Sequence, residues 1–144
     1  MVVLAPTGIA AINAGGVTIH SFFQLPFAPY IPGANYSKEQ FRMGANKLKL
    51  IRSLELLVID EISMVRADLL DNIDEALRRH RGNAAPFGGV QLLMIGDLQQ
   101  LAPVVTDEEQ LLLKPYYDTC FFFSSHVLRK TNYLTVELQH VYRQ

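Results

Sequence analysis

Two runs of this chain constrain its fold more than anything else in it. "ELLVID" (55–60) and "VQLLMIGD" (90–97) are apolar at consecutive positions, so as strands they would be buried on both faces. Between them "SMVRADLLDNIDEALRRHR" (63–81) places Val65, Leu69, Ile73, Ala76 and Leu77 on one face of an amphipathic helix. Doubly buried strands alternating with amphipathic helices predict an α/β fold with a parallel sheet and right-handed crossovers. At 144 residues the chain suits one domain with a real core, and 49% hydrophobic against 19% charged residues reads as globular.

The remaining elements fill in around that frame. "VVLA" (2–5) reads as another buried strand, ended by Pro6-Thr7-Gly8, and "IAAINAGG" as a short helical or loop segment stopped by Gly15-Gly16. Residues 17–36 carry three prolines, a glycine and five aromatics, and are expected to be irregular with two short extended pieces. The second half of 37–54 reads as a helix from Leu48, Ile51 and Leu54. Further on, 107–113 predicts a short helix, "CFFF" (120–123) a short strand, 124–131 a capped helix, and 133–144 an alternating strand.

Composition excludes several classes. No apolar run approaches the roughly 18 residues that would cross a bilayer, and the N-terminus shows neither a basic n-region nor a long apolar stretch. A single cysteine, Cys120, rules out an internal disulfide and a cysteine-rich zinc site. A reducing, cytoplasmic location is expected, nucleoid-associated if the source is bacterial. The net charge of −1 excludes a uniformly basic nucleic-acid binder, but five basic residues fall between Lys38 and Arg52, and Arg78-Arg79-His80-Arg81 end the central helix. Each cluster has an ordinary alternative, a solvated face or cations at a helix C-terminus.

In a parallel α/β sheet, ligands bind beyond the carboxyl ends of the strands. There stand Pro6-Thr7-Gly8, Asp60-Glu61, Gly96-Asp97 with Gln99-Gln100, and Gln139, His140, Tyr142 and Arg143. Carboxylates, carboxamides and an arginine on one edge suit phosphoryl transfer. One acid holds hydrated Mg²⁺, a second polarises the attacking water, and a Gln and an Arg meet the charge on the γ-phosphate. Asp60 and Glu61 have a competing explanation as acids favoured ahead of a helix, and Asp97 as a turn residue. His20, Phe22 and Phe23 have one as core side chains.

"APTGIAAINAGGVTIHSFF", "VIDEISMV", "IGDLQQLAPV" and "VYRQ" resemble, in order, motifs of the petite-integration-frequency helicases. These are RecD-related superfamily 1B enzymes that move 5′→3′ on single-stranded DNA at the expense of ATP. The resemblance spans essentially all of residues 1–144, with Ala102-Pro103 where the family often has two prolines. It implies a RecA-like P-loop NTPase fold, three-layered with a parallel sheet, and a short wedge-like insertion at about 23–45. It implies ATP and Mg²⁺ as cofactors, and single-stranded DNA and the DNA fork as partners, with no membrane. Asp60 would lie near Mg²⁺ through water, Glu61 would be the base, Gln100 would couple the γ-phosphate to DNA grip, and Arg143 would reach the γ-phosphate. Pro6, Thr7, Gly8, Thr18, His20, Ser21 and Phe22 would line the single-strand track.

One element of that pattern is absent. None of the five lysines follows a glycine, so no G-x-x-x-x-G-K-[ST] loop exists in these 144 residues. The chain is therefore expected to be most of one motor domain without its first strand, P-loop and P-loop helix, inert alone. "ELLVID" is expected to lose a neighbour, and the sheet to repack or to pair with a second copy. A non-catalytic module that binds single-stranded DNA or a protein is the alternative.

Overall fold

The computed structural model describes residues 1–34 and 42–139. Its centre is a four-stranded, all-parallel sheet in the order β2-β1-β3-β4, with β1 at Val2–Ala5, β2 at Val17–Thr18, β3 at Leu56–Ile59 and β4 at Gln91–Met94. Leu57, Val58 and Ile59 are all buried, as consecutive apolar residues in an inner strand must be. Backbone bonds carry the ladder past the strand ends: Asp60 N–H to the Leu4 carbonyl at 2.8 Å and Ile95 N–H to the Ile59 carbonyl at 2.9 Å.

The expectation that the "ELLVID" strand loses a neighbour is not met. β3 pairs with β1 on one side and β4 on the other, in a regular register. Of the two edge strands, β2 and β4, the latter leaves Leu93 and the following Ile95 about half exposed. Strand order depends on how crossovers pack, and the sequence of a strand does not name its neighbours.

Helix α1 (Gly8–Ala14) starts at Thr7, whose Oγ1 accepts the Ala10 N–H, and ends at Gly15-Gly16. A Cβ on Gly16 would lie 2.1 Å from the Val3 carbonyl oxygen, so only glycine lets the chain turn back against β1 and pair β2 beside it. Residues 17–36 are not simply irregular. After β2 comes helix α2 (Ile19–Phe23), capped by Thr18 Oγ1 on the Ser21 N–H and closed by Gln24 in the left-handed region. Its buried residues Ile19, Phe22 and Phe23 fall at i, i+3 and i+4.

Helix α3 (Ala45–Ser53) places Ile51 in the core. Helix α4 (Ala67–Arg81) buries Leu69, Leu70, Ile73, Ala76 and Leu77 in the same cluster as Leu4, Leu57 and Ile59. Its basic C-terminus has a structural role. Arg78 and Arg79 pair with Asp74 and Glu75 one turn back, while Arg81 donates to the carbonyls of Ile51, Arg52, Leu54 and Gly88. Arg81 thereby satisfies the carbonyl end of α3.

Helix α5 (Asp107–Leu113) opens with a capping box between Thr106 and Glu109, and the four-residue helix α6 (His126–Arg129) is capped by Ser125. "CFFF" does not form a strand: it makes one antiparallel bridge, Arg66 to Phe121, and then a 3₁₀ turn at Phe122–Ser124. Residues 133–139 have no regular structure, and the rest of that expected strand lies outside the described residues. So do 35–41 of the expected 23–45 insertion. No helix among the described residues is long and apolar enough to cross a membrane.

Candidate nucleotide and single-strand site

Because the strands are parallel, the segments after β1, β3 and β4 leave the sheet at one edge. That edge carries Pro6-Thr7-Gly8, Asp60-Glu61 and the loop from Gly96 to Gln100 side by side. Asp60 follows directly on the ladder, and its Oδ1 accepts the Glu61 N–H at 2.9 Å. Glu61 then takes φ 52, ψ 47, the left-handed region that a side chain rarely adopts, and the chain turns into a 3₁₀ segment at Ile62–Met64. This turn, and not a long helix N-terminus, follows the acid pair; α4 starts only at Ala67, with Arg66 as its N-cap. The helix-cap explanation of Asp60 and Glu61 is thereby weakened.

The turn is locked to the next strand. Ile62 N–H donates to the Ile95 carbonyl at 2.9 Å, and a Cβ on Gly96 would lie 2.9 Å from Ile62 Cγ2 and 3.0 Å from Ile62 N. Gly96 is the residue that lets the two loops touch. We expect Gly96→Ala to force them apart, lowering stability by about 1–3 kcal/mol; a urea midpoint unchanged from the parent's would contradict this. Ser63, next in the turn, is 2% exposed, and its hydroxyl oxygen has no hydrogen-bond partner among the described residues. Asp97 Oδ1 accepts the Gln99 N–H at 2.8 Å, so the turn explanation holds for Asp97. Gln100 is exposed. Arg143, His140 and Tyr142 lie outside the described residues.

The donor set fits a hard cation held through water. Asp60 and Glu61 are half-buried carboxyl groups at a strand end, and no group of three or more metal-binding side chains occurs among the described residues. Mg²⁺ keeps several waters and takes one or two carboxylates, so a half-buried carboxylate pair at a strand end suits it.

The second part of the site lies beside the β1 end. A recess of about 260 Å³ is lined by, among others, Thr7, His20, Phe27, Arg66, Val104 and Glu109. His20 stacks on Phe27, with ring centroids 4.6 Å apart and planes at 23°. Burial, and then the Arg66 charge, hold the His20 imidazole below its ordinary value, so it is neutral near pH 7.

Phe22 requires a correction. It is 3% exposed, packs edge-on against Phe23 and lies under Lys47 Nζ at 4.3 Å, so it presents no face for stacking. The available aromatic is Phe27, 80% exposed, which the sequence did not single out; its only signal was its place in an aromatic-rich segment just after "TIHSFF". Thr7 and Thr18 use their oxygens as helix caps, but each hydroxyl proton remains free to be donated. Gly8 and Ser21 are exposed.

An inner strand ending in an acid pair, with a glutamine-bearing loop on the next strand, defines the core of a RecA-like NTPase. More narrowly, the chain belongs to the PIF1-like helicase family, whose model matches residues 1–144. It is 40% identical over 142 residues to the ATP-dependent DNA helicase PIF1 of Saccharomyces cerevisiae (strain YJM789), covering 99% of this chain and 16% of that protein. A crystal structure of Pif1 helicase from Bacteroides in complex with ADP-AlF3 and single-stranded DNA superposes with a TM-score of 0.93 at 49% identity, covering 99% of this chain and 33% of that one. A structure of Pif1 helicases unwinding forked double-stranded DNA gives 0.94 at 49% identity, with 99% and 34% covered. The chain thus spans about a sixth of the length of the curated relative.

Proposed function

We propose that this chain is the acid-pair and single-strand-binding part of a motor domain, in a protein that couples ATP hydrolysis to 5′→3′ movement along single-stranded DNA and to duplex unwinding at a fork. The observation that carries the reading is the shared edge. Pro6-Thr7-Gly8, Asp60-Glu61 and Gly96–Gln100 leave three adjacent parallel strands together, so hydrolysis groups and strand-contacting groups sit on one rigid sheet. The relatives' names and the DNA-bound neighbours support it.

In this reading Asp60 holds hydrated Mg²⁺, which when bound neutralises charge on the phosphate oxygens. Glu61 accepts the proton of the attacking water. Gln100, on a loop locked to the Glu61 turn through Ile62 and Gly96, orients that water or contacts the γ-phosphate. Arg143 supplies positive charge to the developing γ-phosphate. Thr7, Gly8, Thr18, His20 and Ser21 hold strand phosphates through backbone N–H groups and hydroxyls, Pro6 shapes the turn that presents them, and Phe27 replaces Phe22 as the stacking face. The exposed β4 edge, with Leu93 and Ile95 half exposed, favours self-association of the isolated 144 residues.

The full-length protein should hydrolyse ATP faster in the presence of single-stranded DNA. Its affinity for DNA should fall with salt along a straight line of log K against log concentration, with a slope of about −0.7 per phosphate neutralised. The 144 residues alone, without a glycine-lysine loop, should show no turnover. Mg²⁺-dependent hydrolysis by the isolated chain, or a full-length protein indifferent to DNA, would overturn the reading.

A further inference from the structure

Arg66 stands at the junction of three segments that are far apart in sequence. Its side chain is 13% exposed. Nε donates to Asp68 Oδ1 at 2.5 Å and one terminal nitrogen to Asp68 Oδ2 at 3.0 Å, a bidentate fork, while the other terminal nitrogen reaches Glu109 Oε2 at 2.8 Å. Its backbone is fixed as well, by the bridge to Phe121 and by the Ala67 N–H to Cys120 carbonyl bond at 2.9 Å.

Each carboxylate ties Arg66 to a different segment that lines the recess. Asp68, 1% exposed, also accepts the Tyr30 N–H on Oδ2 at 2.9 Å, which pins the loop that carries Phe27 against His20. Glu109 closes the capping box with Thr106 at the start of α5, directly after Pro103 and Val104. With two carboxyl groups already on one guanidinium, the Arg66 charge is more than balanced, which disfavours a phosphate beside it.

We propose that Arg66 is a positioning residue for the single strand, a strut that fixes the Phe27–Tyr30 segment relative to the Pro103–Glu109 segment, both of which line the recess. The inference rests on the reading of this recess as part of the single-strand track. It assigns to Arg66 an effect on affinity without a phosphate contact, and to the fork geometry a need that lysine does not meet.

The test is single-strand binding by the full-length protein across a salt series, using an oligonucleotide and the variants Arg66→Gln, Arg66→Lys and Glu109→Gln. Arg66→Gln and Arg66→Lys should each weaken binding by about tenfold or more, the scale of a misplaced contact surface. Glu109→Gln, which removes the charge from one of the two ties but keeps an acceptor, should weaken it less. In all three the salt slope should match that of the parent, whereas loss of a direct phosphate contact would reduce it by about 0.7. Should Arg66→Gln fail to fold, the other two variants carry the test. Parent-like affinity in Arg66→Lys together with Glu109→Gln, or a slope reduced by about 0.7, would overturn the strut. Failure of the unsubstituted protein to bind the oligonucleotide would instead overturn the track reading, and the strut with it.

Discussion

Glu61→Gln in the full-length protein should lower ATP turnover by about 10²–10⁴-fold, the usual contribution of a positioned general base, while nucleotide affinity changes little. The substitution keeps the side-chain volume and the turn that Glu61 makes at φ 52, so the fold is not perturbed. It removes the one property the mechanism uses, an oxygen able to accept the water's proton. Asp60 keeps its hydrogen bond to the backbone N–H of residue 61, which is unaffected by the change of side chain. Single-turnover hydrolysis and equilibrium nucleotide binding separate the two effects. A loss in turnover below about tenfold would move the base elsewhere.

Asp71→Ala should cost several kcal/mol of stability, at about 1–3 kcal/mol for each buried donor left without an acceptor. Asp71 is 7% exposed and accepts the Tyr117 hydroxyl at 2.6 Å, the His126 N–H at 3.0 Å and the Val127 N–H at 2.9 Å. Two of these donors are the first backbone amides of α6, which have no helical partner of their own. Alanine would leave all three donors without an acceptor, while Asn, whose amide oxygen in the place of Oδ2 keeps two of them, would lose less. Urea unfolding of the three proteins gives the ranking. Burial, then the Asp71 bond and charge, push the Tyr117 phenol well above its ordinary value. The unfolded chain releases that proton above pH about 10 and the folded chain does not, so stability should fall as pH rises beyond that point.

Much of this architecture was readable from the residues because burial leaves a period in the sequence. β1, β3 and β4 appear as apolar runs, and α4 as a stripe at helical spacing, because each buries a continuous surface. Helix α2 was missed although Ile19, Phe22 and Phe23 carry the helical spacing, since Val, Thr, Ile and Phe also favour strands and the element is only five residues long. "CFFF" failed for the related reason that four apolar residues fit a bridge and a 3₁₀ turn as well as a strand.

At the site, Asp60, Glu61 and Gln100 were legible as strand-end groups, because parallel topology fixes which ends share an edge. Which of two nearby aromatics faces solvent was not legible; α2 turns Phe22 inward and the following loop leaves Phe27 outside. Arg66 left no mark at all, since its partner Glu109 is 43 residues away and the Asp68–Tyr30 bond spans 38.

The left-handed backbone at Glu61 has a consequence for engineering. A non-glycine residue held there carries a cost of about 1–2 kcal/mol that glycine escapes and asparagine reduces. Fold and chemistry therefore rank the amino acids at position 61 in opposite orders. A library screened for thermostability alone would drift toward glycine or asparagine there and discard the carboxylate, so stabilised variants of this domain have to be selected with turnover as a second criterion.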